Sequence, residues 1–207
     1  MNTQNPAIFI ADSVGIDFLN SIATPLDLPV DWIDGGEGLL AWLSQAQLVS
    51  QATLDSIRQR AIPGELNAVA AQARDLREWF RGFVERHRGK ALSAAALSEL
   101  EPLNVLLERD EKYSQLIPAA RDAGSALELQ TLRRWRSPES LLLPIAEALA
   151  TLLSEENFLN IKACEGAACT LMFADHTRAR TRRWCSMEIC GNRAKQAGHR
   201  NRTRRRH

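Results

Sequence analysis

Four cysteines fall in two pairs of identical spacing, Cys164 with Cys169 and Cys185 with Cys190. Each pair encloses four residues, fifteen residues separate the pairs, and the chain has no fifth cysteine. A structural Zn²⁺ takes four tetrahedral ligands, and two short-range pairs joined by a longer loop let two turns converge on one ion. The spacing predicts a single zinc held by Cys164, Cys169, Cys185 and Cys190. A module this small has too little core to fold without such a staple. Two disulfides or an iron–sulfur centre are competing uses of four cysteines, and His176 and His199 are substitute ligands if one cysteine is free. The symmetry of the pairs speaks for four thiolates.

Charge divides the chain at the same place. The whole carries +1, but Met1 to Phe158 holds 14 Lys and Arg against 22 Asp and Glu, a net −8. Leu159 to His207 holds 12 against 3, a net +9. The expected organisation is therefore an acidic domain over 1–158 and a basic module over 159–207. Four thiolates on Zn²⁺ carry a formal −2, which this basic surplus exceeds, so a further counter-charge is needed. A phosphate backbone supplies one. The expected nucleic-acid-binding residues are Arg180, Arg182, Arg183, Asn192, Arg193, Lys195, Arg200, Arg202 and Arg204. From Gly191 onward the chain reads as a helix with Arg193, Ala197, Arg200 and Arg204 on one face. Alternatively Gly198 ends it, leaving Arg200 to Arg206 as an arm suited to a minor groove. DNA is the first partner this implies; RNA or an acidic protein is the alternative. The bland readings are a solvated basic tail, and Asn192 and Arg193 orienting the metal knuckle through hydrogen bonds.

The N-terminal part reads as mainly helical. Apolar residues at Leu66, Val69, Ala73, Leu76, Phe80 and Phe83 put one stripe along a helix over Glu65 to His87. Such a stripe suits a core; over three heptads it could also serve a dimeric coiled coil. Helices are also expected from Glu37 to Leu48, from an N-cap at Ser50, from Ser93 with Leu97, Leu100, Leu103 and Leu107 inward and a join at Pro102, and from Ser137-Pro138. Trp32 is expected to anchor the loop from Thr24 to Gly36. Strands are expected at Ile8 to Ile10, Ile16 to Leu19, Lys112 to Ile117 and Ala126 to Arg133, together making one small antiparallel sheet. The fold class is thus α+β: a mainly helical domain with a small antiparallel sheet, then a four-cysteine zinc module with a C-terminal helix.

No stretch reads as a secretory leader or a membrane span, so the expected compartment is the cytoplasm, where paired cysteines more often hold metal than form disulfides. Enzymatic function is disfavoured. Four cysteines close the shell that a catalytic zinc keeps open, and no nucleophile elbow, phosphate-binding glycine loop or HExxH is present. A pocket lined by Asp17 and Asn20 is the one feature that would receive a small-molecule effector. A homodimer would suit a two-fold operator.

Three segments also carry a family resemblance. Leu171-Met172-Phe173-Ala174-Asp175, Arg182-Arg183-Trp184-Cys185-Ser186-Met187 and Cys190-Gly191-Asn192-Arg193-Ala194-Lys195, with Arg200 and Arg202 after them, resemble the CGNR zinc finger. Ile16-Asp17-Phe18-Leu19-Asn20-Ser21 resembles the opening motif of the ABATE domain that precedes this finger, and Trp135 to Leu153 resembles its end. His176-Thr177-Arg178 departs from the family, which tends to have Ser before the Arg. The resemblance implies a stress-responsive transcription regulator whose finger holds zinc and meets DNA.

Overall fold

The computed structural model describes residues 6–24, 29–119, 126–193 and 195–196. In chain order the elements are α1 (Val14–Leu19), β1 (Ile22–Ala23), β2 (Val30–Asp31), α2 (Gly36–Gln45), α3 (Gln51–Arg60) and α4 (Glu65–His87). A 3-10 turn at Ala94–Leu100 leads into α5 (Glu101–Leu107), then β3 (Lys112–Pro118) and β4 (Leu127–Arg133). Another turn, Pro138–Leu141, opens α6 (Leu142–Glu155), and β5 (Ile161–Ala163) and β6 (Met172–Ala174) follow. Ser50 caps α3 by accepting the Thr53 N–H at 3.3 Å, and Ser137 and Ser140 form a reciprocal cap before α6.

The α4 stripe lies in the molecule's own core. Val69, Ala73, Phe80 and Phe83 are buried, and Phe83 meets Phe80 at 5.9 Å and Phe158 at 6.1 Å. It is therefore not available as a coiled-coil seam. Trp32 is buried, as its aromatic bulk in a polar loop suggested. Leu97 does not face inward: it is 61% exposed while Ala96 is buried. The tighter 3-10 winding before Pro102 moves the inward face by a fraction of a turn.

The strand expected at Ile16 to Leu19 is a correction. These residues form α1, and Gly15 through Leu19 are all buried. Full burial erases both the two-residue and the 3.6-residue hydrophobic period, so neither pattern was there to read. α1 packs on α6, α4 and β6. Gly15 permits the closest approach: a Cβ there would stand 2.9 Å from both the Ala148 carbonyl oxygen and Leu152 Cβ of α6. The single sheet is a second correction. Three separate antiparallel pairs occur among the described residues, β1–β2, β3–β4 and β5–β6.

α1 carries Asp17, whose Oδ1 accepts the N–H groups of Ile10 and Ala11, each at 3.1 Å. Burial pushes its carboxyl up to about 6, against the pull of those two donors. A folded-state value above the ordinary 3.8 means the neutral form is favoured on folding. Stability from this group is full below about pH 4 and lost as pH rises through 6, by at most about 3 kcal/mol. Asp17→Asn keeps an acceptor for both N–H groups and removes the charge. Urea denaturation across pH 4 to 8 is expected to show the variant gaining on the parent through that window. Parallel curves would mean that Asp17 does not titrate there.

Candidate metal and nucleic-acid site

The two cysteine pairs meet as two turns. β5 delivers Cys164, whose N–H bonds the Leu171 carbonyl at 2.9 Å, and the Cys169 N–H closes back on Gly166 at 3.0 Å. Gly166 sits where a Cβ would be 2.8 Å from Cys190 Sγ, so the first turn tolerates no side chain against the second. In the second turn Ser186 Oγ accepts the Ile189 N–H at 2.9 Å, while the Ser186 carbonyl accepts from Cys190 and Gly191. A wide turn over Met187–Gly191 follows, and Asn192, Arg193, Lys195 and Gln196 continue as helix. This is the helix expected from Gly191 onward. Ala197, Arg200, Arg202 and Arg204 lie outside the described residues.

All four Sγ atoms lie within 4.8 Å of one another, and Cys169 and Cys185 are 3.8 Å apart. A tetrahedral ion with Zn–S bonds of about 2.3 Å requires S···S separations of about 3.8 Å. The donor set therefore fits zinc in type, number and spacing. The Cys164 sulfur also accepts two N–H groups, from Cys185 at 3.2 Å and Gly166 at 3.4 Å, which fix its orientation toward the other three sulfurs. Crowding divides the other three. A hydrogen bond from Cys185 draws Cys169 down to about 5, that same contact pushes Cys185 far up, and burial raises Cys190 to about 12. A divalent cation would relieve this competition for negative charge.

Asp175 organises the fifteen-residue loop. It is fully buried, and its carboxylate accepts from Lys162 Nζ at 2.7 Å, Thr177 Oγ1 at 2.6 Å, and the N–H groups of Thr177 and Arg182 at 3.1 and 3.0 Å. Burial alone would push its carboxyl up, but these donors hold it well below the usual carboxylate range. The sequence signal for it was its place at the end of the Leu171 to Asp175 segment; its hub role was not legible there.

The structure sorts the expected basic residues. Arg182 is a clamp: its guanidinium lies 4.2 Å from the Phe173 ring centroid and donates to the carbonyls of Trp184 (3.1 Å), Ile10 (3.3 Å) and Cys185. Arg180 donates to the Asp175 carbonyl. Arg183 is exposed, paired with Glu165 at 2.6 Å and lying 5.2 Å from the Trp184 ring centroid. Asn192, Arg193 and Lys195 are exposed and make no side-chain bond to the other described residues. Arg178, not among the expected residues, is exposed in the same way.

Asp17 and Asn20 are inside the protein. Asn20 is 1% exposed; its Nδ2 donates to the Met172 carbonyl and its Oδ1 accepts the Met172 N–H, both at 2.9 Å, tying α1 to β6 of the finger. A cleft of about 720 Å³ lies nearby, lined by Asp12, Gly15, Glu147, Thr151, His176 and Arg180 among others, but by neither Asp17 nor Asn20.

A helical body closed by a four-cysteine knuckle pair defines a zinc-finger protein of mixed α+β architecture. The family model for ABATE, described as "Putative stress-induced transcription regulator", matches residues 12–156, and that for the CGNR zinc finger matches residues 160–203. The chain belongs to the ABATE family and carries a CGNR zinc finger. Neither is a family of enzymes. No curated protein matches the chain. Among the described residues, no helix is long and apolar enough to cross a membrane.

Proposed function

We propose that the finger binds one structural zinc through Cys164, Cys169, Cys185 and Cys190 and docks the chain on DNA as a transcription regulator. The observation that carries the reading is the set of exposed cations beside the knuckles with no anionic partner among the described residues: Arg178, Arg193 and Lys195. Arg183 joins them, because an exposed ion pair with Glu165 contributes little and can be exchanged for a phosphate. Arg193 and Lys195 contact phosphates and set the register of the short helix. Asn192 at its start carries the amide that pairs with an adenine edge. Arg200, Arg202 and Arg204 extend the same basic run. Arg180 and Arg182 act indirectly, by holding the loop that presents the others. The acidic residues 1–158 form the regulatory part, and the protein works in the cytoplasm, where thiolates stay reduced.

The test is fluorescence anisotropy of the zinc-loaded chain on duplex DNA across a salt series. Affinity is expected to fall by about 0.9 log unit per phosphate contact for each log unit of salt. Arg193→Ala with Lys195→Ala is expected to lower that slope by about 2, with zinc content unchanged. Salt-independent binding, or tighter binding to structured RNA or an acidic protein, would refute DNA as the partner.

A further inference from the structure

The β3–β4 hairpin stands out from the body. Its register pairs Leu116 with Leu129 and Pro118 with Leu127, so these four side chains share one face. Leu116 is 62% exposed, Leu127 56% and Leu129 68%. The opposite face is also open through Gln115 and Gln130, and the hairpin is tied at its base by Arg133, which donates to Asp110 at 2.6 and 2.7 Å and to Glu147 at 2.8 Å. A two-stranded ribbon without a covered apolar face is marginal in water, and neighbouring exposed leucines in cross-strand register are a patch, not scattered apolar residues.

We infer that this leucine face is a homodimer interface, covered by the same face of a second copy. The leucine half of the face, with Ser114 and Thr131 beside it, carries no charge, so neither a nucleic acid nor a charged protein segment is matched to it. An uncharged apolar face is complementary to itself, and stacking two such faces about a two-fold axis is a closed, isologous arrangement. The apolar part of the face covers two positions on each strand, Leu116 and Pro118 opposite Leu129 and Leu127, about 7 Å along the ribbon. It is a compact patch that a second copy of the same patch can cover. Three leucines and their neighbours offer on the order of 400 Å² per copy, about half of a standard interface. The dimer is accordingly weak, with a dissociation constant of about 1 to 100 μM. This stands whether or not the finger binds DNA.

Sedimentation velocity of the zinc-loaded full chain, without DNA, tests it over about 1 μM to a few hundred μM. The parent is expected to shift from monomer to dimer. Leu116→Lys with Leu129→Lys, which places four ammonium groups on the shared face, is expected to weaken association at least about tenfold with an unchanged far-ultraviolet spectrum. Leu129→Thr, which keeps strand propensity, is expected to weaken it by less. A parent that stays monomeric throughout would overturn the proposal. So would a folded lysine variant that dimerises as well as the parent.

Discussion

Cys185→Ser is expected to strip the chain of its zinc and disorder the finger around it. Cys185 is buried, its sulfur stands 3.8 Å from that of Cys169, and its backbone N–H bonds Cys164 Sγ. A serine hydroxyl would leave three thiolates crowded without a closed shell. Zinc binding contributes about 10–16 kcal/mol of folding free energy in isolated finger peptides near neutral pH. Here part of the finger also belongs to the main core, through Leu171 and Phe173, so α1 to α6 are expected to stay folded while the loop from Thr170 to Trp184 loosens. Zinc per chain, measured after dialysis against a mild chelator, should fall from one toward zero. DNA affinity should drop by more than the roughly 10–100-fold that losing a hydrogen-bond partner of a ligand costs. A variant that keeps both its zinc and its DNA would remove the metal centre from the account.

The second large effect is expected from Asp31→Ala. Arg77 of α4 is 1% exposed; its Nη1 and Nη2 donate to the two oxygens of Asp31 at 2.8 Å each, and Nη1 also donates to Ser21 Oγ at 2.9 Å. This joins α4 to β2 and to the end of α1. Removing the carboxylate takes away the two-pronged partner of a buried guanidinium and leaves it Glu78, 3.0 Å from Nε, as its remaining anion. The loss is therefore expected to approach the ~3–5 kcal/mol typical of a broken buried pair. The effect has a pH signature. Burial tends to raise the Asp31 carboxyl, but the hydrogen bonds and charge of Arg77 overcome it and hold the group below its ordinary value of 3.8. Its stabilisation is therefore present above about pH 4 and lost as pH falls further, the reverse of Asp17. Chemical denaturation at pH 3 to 7 should show the variant far less stable than the parent at neutral pH, with the gap narrowing in acid. An unchanged gap would assign the loss to packing alone.

The elements that were legible in the sequence are those with a local cause. The α4 stripe and the serine caps of α3 and α6 act within a few residues, and the structure carries each of them. β4 shows the limit of such reading: the strand expected there forms, yet Leu127 and Leu129 face solvent in place of a core. α1 had no readable period because neighbours surround it on every side. Arg182 looked like the Arg residues around it, and only its stacking on Phe173 and its reach to Ile10 distinguish it from the exposed Arg193.

The four-cysteine ligand set and the basic surplus were therefore legible in the sequence alone, because ligand type, ligand spacing and net charge need no tertiary contact to be counted. The tertiary structure decided which groups are free to act. Asp17 and Asn20, polar beside an apolar run, became a buried support and a clamp because α1 is enclosed and β6 arrives against it from 152 residues away. Arg182 and Asp175 were consumed in holding the loop, while Arg178, Arg193 and Lys195 remained exposed. Burial and hydrogen-bond competition between distant segments set that division, and neither quantity exists until the chain has folded.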